Sequence, residues 1–252
     1  MKNLISCNLA SYGKYRETAW EHLPKLGITH VELPLPAPEE VIAVQAKLAQ
    51  YGLACATLQA PCPLGEEEVV EKFETALDIA TQMGVKVIFV SVKAGETPRE
   101  IVFERLRRIG DRAAPRGIRL ALETHPDLCH NGEVAAETMR GVDHPNVGLN
   151  FDTANIYFYN QGMDAVTELK KILPHVVSVH LKDTNGGYRT WYFPTLGEGV
   201  VDFPEIFRLL NGQGFYGPFT LELEGIGGEK LTLEQQQARV AQSVEYLRQI
   251  GV

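Results

Sequence analysis

The sequence contains few cysteines and no long apolar run, and both absences narrow the class of protein. Its 252 residues include only four cysteines, none in CxxC spacing, so neither a disulfide framework nor a zinc knuckle is expected. The longest apolar stretch, residues 85–92, is too short to span a bilayer. Residues 1–16 lack the hydrophobic run of a signal peptide. We therefore expect a cytoplasmic protein without a membrane partner.

Basic side chains are also scarce. The chain has 24 Lys and Arg residues against 32 Asp and Glu residues, which gives a formal net charge of −8. A broad nucleic-acid surface needs clustered cations, so a nucleic-acid partner is not expected. Hydrophobic residues make up 44% of the chain, too many for a disordered protein. The length fits either two small domains or one α/β barrel, and it can bury a large core.

Short apolar runs alternate regularly with helical patterns along the chain. Residues 66–84, for example, carry apolar side chains at helical spacing and end in Gly84. The loop after the first apolar run lacks GxGxxG, which argues against a dinucleotide-binding open sheet. The pattern predicts a single (β/α)8 TIM barrel over residues 1–252. The predicted strands are Leu4–Leu9, Thr29–Leu33, Ala54–Leu58, Val87–Lys93, Ile118–Glu123, Val147–Asp152, Val176–Leu181 and Phe219–Glu224.

Polar and apolar residues alternate along each of the last four predicted strands. The apolar set must cover the helices, so the polar set points into the barrel. Interior layers of such barrels are usually branched and apolar, and unmatched buried charge is costly. The inward residues at the carboxyl ends of these strands are Glu123, Asp152, His180 and Glu222, and Glu224 has the same parity as Glu222.

Three carboxylates and one imidazole in a small volume would repel one another without a cation. Each residue alone is also compatible with a hydrogen bond at the barrel rim, but the set predicts a metal site. Oxygen-rich ligation with one nitrogen suits Mn²⁺, Mg²⁺ or Co²⁺. Glu123 and Glu222 come from different strands, so they are predicted to flank a substrate as two proton carriers.

Motifs in the second half of the chain contain the same four residues and indicate a family resemblance. They are LETHP at 122–126, NFDTAN at 150–155, VHLKD at 179–183, LGEGVVDF at 196–203 and GFYGPFTLELEG at 214–225. In this order they resemble the xylose isomerase-like TIM barrels, near the sugar phosphate isomerase/epimerase group that includes D-tagatose 3-epimerase and the inosose dehydratases and isomerases. The resemblance implies Glu123, Asp152, His180 and Glu222 as metal ligands, leaving Glu224 beside the site.

Several further positions are candidates for substrate binding. The resemblance implies a histidine three residues after Asp152, where this chain has Asn155, an amide that can still hydrogen-bond a substrate. The Gly225–Gly228 run is a weak candidate for binding a phosphate through backbone N–H groups. The other candidates are His125, Lys182, Glu32, Trp191, Phe193 and Lys93.

These residues predict a divalent-metal-dependent isomerase or epimerase acting on a ketose or related polyol through an enediolate, with Glu123 and Glu222 as acid and base. A lyase that dehydrates an inosose or a 3-keto sugar would use the same enolate. An apurinic endonuclease-like activity is disfavoured because the chain is acidic and has only seven histidines. A non-catalytic metal- or sugar-binding barrel is the remaining alternative. A homo-oligomer is expected by resemblance.

Overall fold

The computed structural model describes residues 2–252 and contains a closed barrel of eight parallel strands. Each barrel strand pairs with the next one in space, and β1 closes the ring by pairing with β9. The ring consists of β1 (Ile5–Asn8), β2 (His30–Pro34), β3 (Ala54–Gln59), β4 (Val87–Val90), β5 (Arg119–Glu123), β6 (Val147–Asp152), β7 (Val176–Leu181) and β9 (Phe219–Leu221). The predicted TIM barrel is therefore confirmed.

Helices surround the barrel and follow its strands. Gly52 and Gly84 end their helices in the left-handed conformation, with φ of 65° and 72°, which glycine adopts without strain. The helices are α1 (Ala19–Lys25), α2 (Val41–Tyr51), α3 (Val69–Lys72), α4 (Glu74–Met83), α5 (Arg99–Ala113), α6 (Gly132–Val142), α7 (Asn155–Tyr159), α8 (Ala165–Ile172), α9 (Phe203–Gly212) and α10 (Leu233–Gln249). Among the helices within residues 2–252, none has the length and apolar character needed to cross a bilayer.

The strand ends differ from the prediction where the chain turns toward the barrel mouth. Strand β4 ends at Val90 rather than Lys93, and β9 ends at Leu221 rather than Glu224. Regular strand pairing ends at these residues, although the Glu222 N–H still donates to the Leu181 carbonyl at 3.1 Å. Residues 91–93 and 222–224 therefore lie in loops at the carboxyl edge of the barrel.

The side chain of Val177 in β7 points into the barrel, whereas the alternation of polar and apolar residues predicts that it faces the helices. The register between β6 and β7 shifts at Leu149 and Asn150. As a result, Val177 packs with Val87 and Ala121 in an apolar cluster separate from the main core. Because Ala121 has the inward parity of Glu123, this cluster fills the barrel interior at a lower level than the polar strand ends.

The long loop after β7 contains a two-residue strand, β8 (Tyr192–Phe193). It pairs antiparallel with β10 (Gly225–Ile226), so that Phe193 lies opposite Gly225. The glycine run after β9 is thus part of a small sheet that fixes the β7–α9 loop over the barrel mouth.

Candidate active site

Four inward side chains meet at the carboxyl edge of the barrel. One ligand-type atom from each of Glu123, Asp152, His180 and Glu222 lies within 4.8 Å of every other. Glu123, Asp152 and His180 end or lie near the end of β5, β6 and β7, and Glu222 directly follows β9. Parallel strands bring their carboxyl ends to one edge, which explains how residues far apart in sequence converge.

Local hydrogen bonds hold Asp152 with one oxygen free. Its Oδ1 accepts hydrogen bonds from the backbone N–H groups of Ala154 and Asn155, each at 2.9 Å, where α7 begins. Its own N–H donates to Thr124 Oγ1 at 3.0 Å. The NFDTAN segment therefore forms a turn that fixes the carboxylate and directs Oδ2 toward the other three residues.

His180 is held from behind by Glu32. The imidazole Nε2 lies 3.1 Å from Glu32 Oε1, and both side chains are 1% exposed. The ring also packs on Phe89, with centroids 4.7 Å apart. If Nε2 carries the proton, the hydrogen bond to Glu32 leaves the Nδ1 lone pair facing the acidic cluster, as a metal-binding imidazole requires.

Glu32 is buried and accepts hydrogen bonds through both of its carboxylate oxygens. Asn8 Nδ2 donates to Oε1 at 2.9 Å and Thr57 Oγ1 donates to Oε2 at 2.6 Å. Glu32 was expected to line the substrate pocket, but the structure places it beneath His180 and among polar interior residues. Alternation along β2 indicates that the Glu32 side chain points inward, but it cannot show that His180 from β7 lies between Glu32 and the cavity.

Three buried atoms of the cluster have no hydrogen-bond partner of acceptable geometry: Asp152 Oδ2, His180 Nδ1 and Glu222 Oε2. Such groups are rare in the interior because leaving them unpaired is costly. All three belong to the residues that meet within 4.8 Å. Two carboxylate oxygens and one imidazole nitrogen, with Glu123 alongside, fit a divalent cation of the Mn²⁺, Mg²⁺ or Co²⁺ type.

Lys182 supplies positive charge to the same carboxylates. Its Nζ lies 2.9 Å from Asp152 Oδ2, 2.7 Å from Glu222 Oε2 and 2.7 Å from Glu224 Oε2. The contacts to Asp152 and Glu222 are ion pairs by distance, although their angles fall outside hydrogen-bond geometry. Glu224 is thus the partner of Lys182 and lies outside the four-residue cluster.

The two glutamates differ in their electrostatic environment. Burial, together with the nearby charges of Glu222 and Asp152, raises the pKa of Glu123 to about 7. Burial also acts to raise the pKa of Glu222, but the positive charges of His180 and Lys182 outweigh it and hold that pKa well below its usual value. In the metal-free protein, Glu123 therefore titrates near neutral pH, whereas Glu222 stays ionised.

A cavity of about 260 Å³ opens above the cluster. One wall is aromatic, because Trp191 packs edge-on against Phe158 and Phe193. Lys93 is exposed and does not line this cavity. The lining residues are Gln59, Phe89, Ser91, Glu123, His125, Asn155, Phe158, Tyr159, Lys182, Trp191, Phe193, Glu222 and Glu224.

His125 and Asn155 lie on the side of the cavity nearest Glu123. His125 Nδ1 contacts the Pro126 carbonyl at 2.7 Å, and its ring packs edge-on against Tyr159. Asn155 Nδ2 donates to the Thr124 carbonyl at 3.1 Å and to Glu123 Oε1 at 3.4 Å. Both side chains line the cavity and also hydrogen-bond within the protein. His125 can therefore contact a substrate hydroxyl group from the cavity wall, and it also stabilises the turn at Pro126.

Sequence reasoning did not assign a role to Asp183, the last residue of VHLKD. Its buried carboxylate accepts hydrogen bonds from four backbone N–H groups, two on each oxygen, which belong to Thr184, Gly197, Gly199 and Val201. A Cβ on Gly199 would overlap the Asp183 carboxylate and the Thr184 carbonyl. Asp183 therefore fixes the loop that carries Trp191 and Phe193, and it explains why VHLKD and the later glycines occur together.

Comparison with known proteins agrees with this architecture. An inosose dehydratase of Geobacillus thermodenitrificans is 28% identical over 63% of this chain and 64% of its own length, so the match spans less than two thirds of that enzyme. The L-ribulose-5-phosphate 3-epimerase UlaE of Salmonella typhi is 26% identical over 80% of this chain and 75% of its own.

A solved structure has the same fold. The xylose isomerase-like TIM barrel protein of Mycobacterium smegmatis, in complex with magnesium, superposes with a TM-score of 0.78, covering 98% of this chain and 96% of its own at 21% identity. The sequence pattern of one family matches residues 20–250. The chain belongs to the xylose isomerase-like TIM barrel family.

Proposed function

We propose that this protein is a divalent-metal-dependent isomerase or epimerase of a ketose or related polyol. The observation that carries the proposal is the convergence of ligand-type atoms from Glu123, Asp152, His180 and Glu222 within 4.8 Å of one another, beneath a small cavity. Relatives that include an L-ribulose-5-phosphate 3-epimerase support an enzyme of this kind. We propose further that residues 1–252 act as one cytoplasmic catalytic unit and assemble as a homo-oligomer.

Glu123, Asp152, His180 and Glu222 would hold the cation. When bound, a Mn²⁺, Mg²⁺ or Co²⁺ ion polarises substrate carbonyl and hydroxyl oxygens and so acidifies the adjacent C–H bond. Glu32 and the α7 turn keep His180 and Asp152 in position before binding. This preorganisation lowers the cost of assembling the site.

Glu123 and Glu222 carry the proton transfer. Glu123 ends β5 and Glu222 follows β9, so they approach a substrate from two sides of the cavity. One carboxylate removes the proton next to the carbonyl, and the C–H electron pair forms an enediolate. The other carboxyl group returns a proton to the opposite face for epimerisation, or a relay delivers it to the neighbouring carbon for isomerisation.

Neighbouring side chains orient the substrate. Lys182 lines the cavity and is paired with Asp152, Glu222 and Glu224, so it holds these carboxylates in position. Asn155 lies 3.4 Å from Glu123 Oε1 and positions that carboxyl group. Trp191 and Phe193 cover one face of the sugar.

A second candidate is a lyase that begins with the same proton abstraction. The enolate would then expel a β-hydroxyl group as water, so that the product is lighter by one water molecule. Asn155 favours the lyase, because an amide does not gain and lose a proton near neutral pH as an imidazole would at this position. The Geobacillus inosose dehydratase relative supports it as well.

The test is an NMR screen of ketoses, inososes and 3-keto sugars in D₂O with the Mg²⁺-loaded protein. We expect exchange of one C–H position in a substrate, and loss of that exchange in Glu123→Gln and Glu222→Gln. Mass spectrometry separates the reactions, because an epimer keeps the substrate mass whereas a dehydration product loses water. Product without solvent deuterium, or variants with full activity, would contradict the proposal.

A further inference from the structure

We infer that the substrate is an uncharged polyhydroxy carbonyl compound, without a phosphate or carboxylate group; this rests on the proposed function and specifies its substrate class. The inference comes from the charges around the cavity. It separates this chain from relatives such as the L-ribulose-5-phosphate epimerase, whose named substrate is a phosphate ester.

The one lysine that lines the cavity is already surrounded by carboxylates that compensate its charge. Lys182 is the only Lys or Arg among the described residues that line it. Its Nζ lies within 3 Å of Asp152, Glu222 and Glu224. An anionic substrate group would have to displace a carboxylate from a buried ammonium group, which opposes its binding.

The net charge around the reacting position also opposes an anionic substrate. With a divalent cation bound, Glu123, Asp152 and Glu222 would all be ionised, and Glu224 adds a fourth carboxylate beside the cavity. One ammonium group and one divalent cation would then leave about one net negative charge. A phosphate dianion would enter a site of its own sign, where the reduced dielectric strengthens the repulsion.

The glycine run after β9 already uses backbone N–H groups for hydrogen bonds within the protein. A phosphate cradle needs free backbone N–H groups, but Gly227 N–H donates to the Trp191 carbonyl at 2.9 Å. Ile226 N–H lies 3.3 Å from Glu229 Oε2, so a carboxylate already occupies this part of the turn. Glu229 is in turn paired with Arg239 at 2.6 Å. Two N–H groups of the Gly225–Gly228 run are therefore already bonded within the protein, and a carboxylate lies beside them, which opposes phosphate binding there.

Exposed cations lie outside the cavity. Lys93 follows the cavity-lining Ser91 by two residues and lies near His125, but it is exposed and does not line the cavity. By contrast, Trp191 and Phe158 give the cavity an aromatic wall. An aromatic wall above a ring of carboxylates suits a neutral sugar, which offers a C–H face to the rings and hydroxyl donors to the acids.

The test measures binding of matched neutral and phosphorylated ligands to the Mg²⁺-loaded protein by calorimetry. The pairs are D-tagatose with its 6-phosphate, D-fructose with its 6-phosphate and L-ribulose with its 5-phosphate. The measurement is made at pH 8, where an imidazole of ordinary pKa carries no proton. We expect the neutral member of at least one pair to bind at least tenfold more tightly than its ester.

Two variants sharpen the comparison. Glu224→Gln removes one partner of Lys182 and is expected to reduce the preference for the neutral member. Lys93→Ala is expected to change neither affinity. A phosphate ester that binds as tightly as its neutral partner, absence of binding by every neutral member, or selective loss of ester binding in Lys93→Ala would overturn the inference.

The outcome is separable from that of the proposed function. C–H exchange of a phosphate ester in D₂O would support the reaction and overturn the neutral substrate class. Preferential binding of a neutral sugar without any C–H exchange would support the substrate class and contradict the reaction.

Discussion

The Nε2 atom of His180 lies 3.1 Å from Oε1 of Glu32, and both side chains are buried in the barrel interior. This pair fixes the orientation of the one nitrogen ligand of the candidate metal site. We expect Glu32→Leu to weaken Mn²⁺ binding by about 10- to 100-fold, the usual effect of removing a group that orients a metal ligand. Calorimetric titration of the metal-free protein measures the change.

The matched control is Glu100→Gln, which changes an exposed carboxylate on α5 that makes no ion pair within residues 2–252. It is expected to bind Mn²⁺ like the wild type. Glu32→Gln adds a second comparison, because it keeps the side-chain shape and changes only the charge and one acceptor. Unchanged Mn²⁺ affinity in both Glu32 variants would show that Glu32 has no orienting role.

Gly199 is expected to be intolerant of any side chain. A Cβ would overlap the carboxylate of Asp183 and the carbonyl of Thr184, and thereby disturb the hydrogen bonds that hold the β7–α9 loop. We expect Gly199→Ala to lower the free energy of unfolding by roughly 1–3 kcal/mol. Urea denaturation measures this loss, and limited proteolysis should show faster cleavage in residues 184–201.

Gly212 at the end of α9 provides the matched substitution. A Cβ there meets nothing within 4 Å. Gly212→Ala should therefore leave stability unchanged or raise it by up to about 1 kcal/mol, since alanine favours a helix more than glycine does. Equal effects of the two alanine substitutions would contradict the role assigned to Asp183.

The raised pKa of Glu123 predicts how the stability of the metal-free protein depends on pH. Glu123 has a pKa of about 7 in the folded protein, above its ordinary value of 4.5. Between these values the folded protein holds a proton that the unfolded chain has lost. The free energy of unfolding should therefore fall as pH rises from 4.5 to 7, by up to roughly 3 kcal/mol from this group.

Glu123→Gln isolates that contribution, because other groups titrate over the same range. The variant should lose the part of the pH slope that comes from Glu123 and should be more stable than the wild type at pH 8 when both are metal-free. Chemical denaturation at pH 5 and pH 8 with EDTA tests the difference. An identical pH slope in the two proteins would show that Glu123 keeps its ordinary pKa.

Trp191 is predicted to bind substrate through its ring. It is 49% exposed and packs against Phe158 and Phe193 at the cavity wall. We expect Trp191→Ala to weaken binding of the neutral ketose found in the D₂O screen by about three- to tenfold, the worth of one aromatic contact. Calorimetry on the Mg²⁺-loaded protein measures it.

Tyr188 is the appropriate control because it lies in the same loop, is 43% exposed and does not line the cavity. Tyr188→Ala should retain wild-type ketose affinity. If both substitutions weaken binding equally, the loop as a whole supports the site and the ring of Trp191 has no specific role.

Periodicity and parity were sufficient to predict the barrel and three of the four residues that the structure brings together, whereas the choice of Glu222 over Glu224 came from the family resemblance. Alternating side chains on parallel strands place Glu123, Asp152 and His180 inward, and every parallel strand contributes its carboxyl end to the same edge. These rules need only local sequence, because the closed ring makes the long-range arrangement regular.

The features that sequence reasoning missed depend on contacts between distant segments. Glu32 points inward as its parity indicates, but only the packed barrel shows that His180 covers it. Val177 turns inward because of the register shift between β6 and β7, which no pattern within β7 reveals. The role of Asp183 depends on a loop that returns 14–18 residues later in the chain.

The most direct test of the account is a Mn²⁺ titration of the wild-type protein and of Asp152→Asn, followed by electron paramagnetic resonance and by thermal unfolding. Asp152→Asn keeps the side-chain size while removing the charge of one proposed ligand. We predict one tightly bound Mn²⁺ per chain and a rise in Tm on binding for the wild type, because a ligand of the native state stabilises it. We predict that the folded variant loses both. Absence of stoichiometric binding by the wild type, or equal binding by the folded variant, would contradict the central claim.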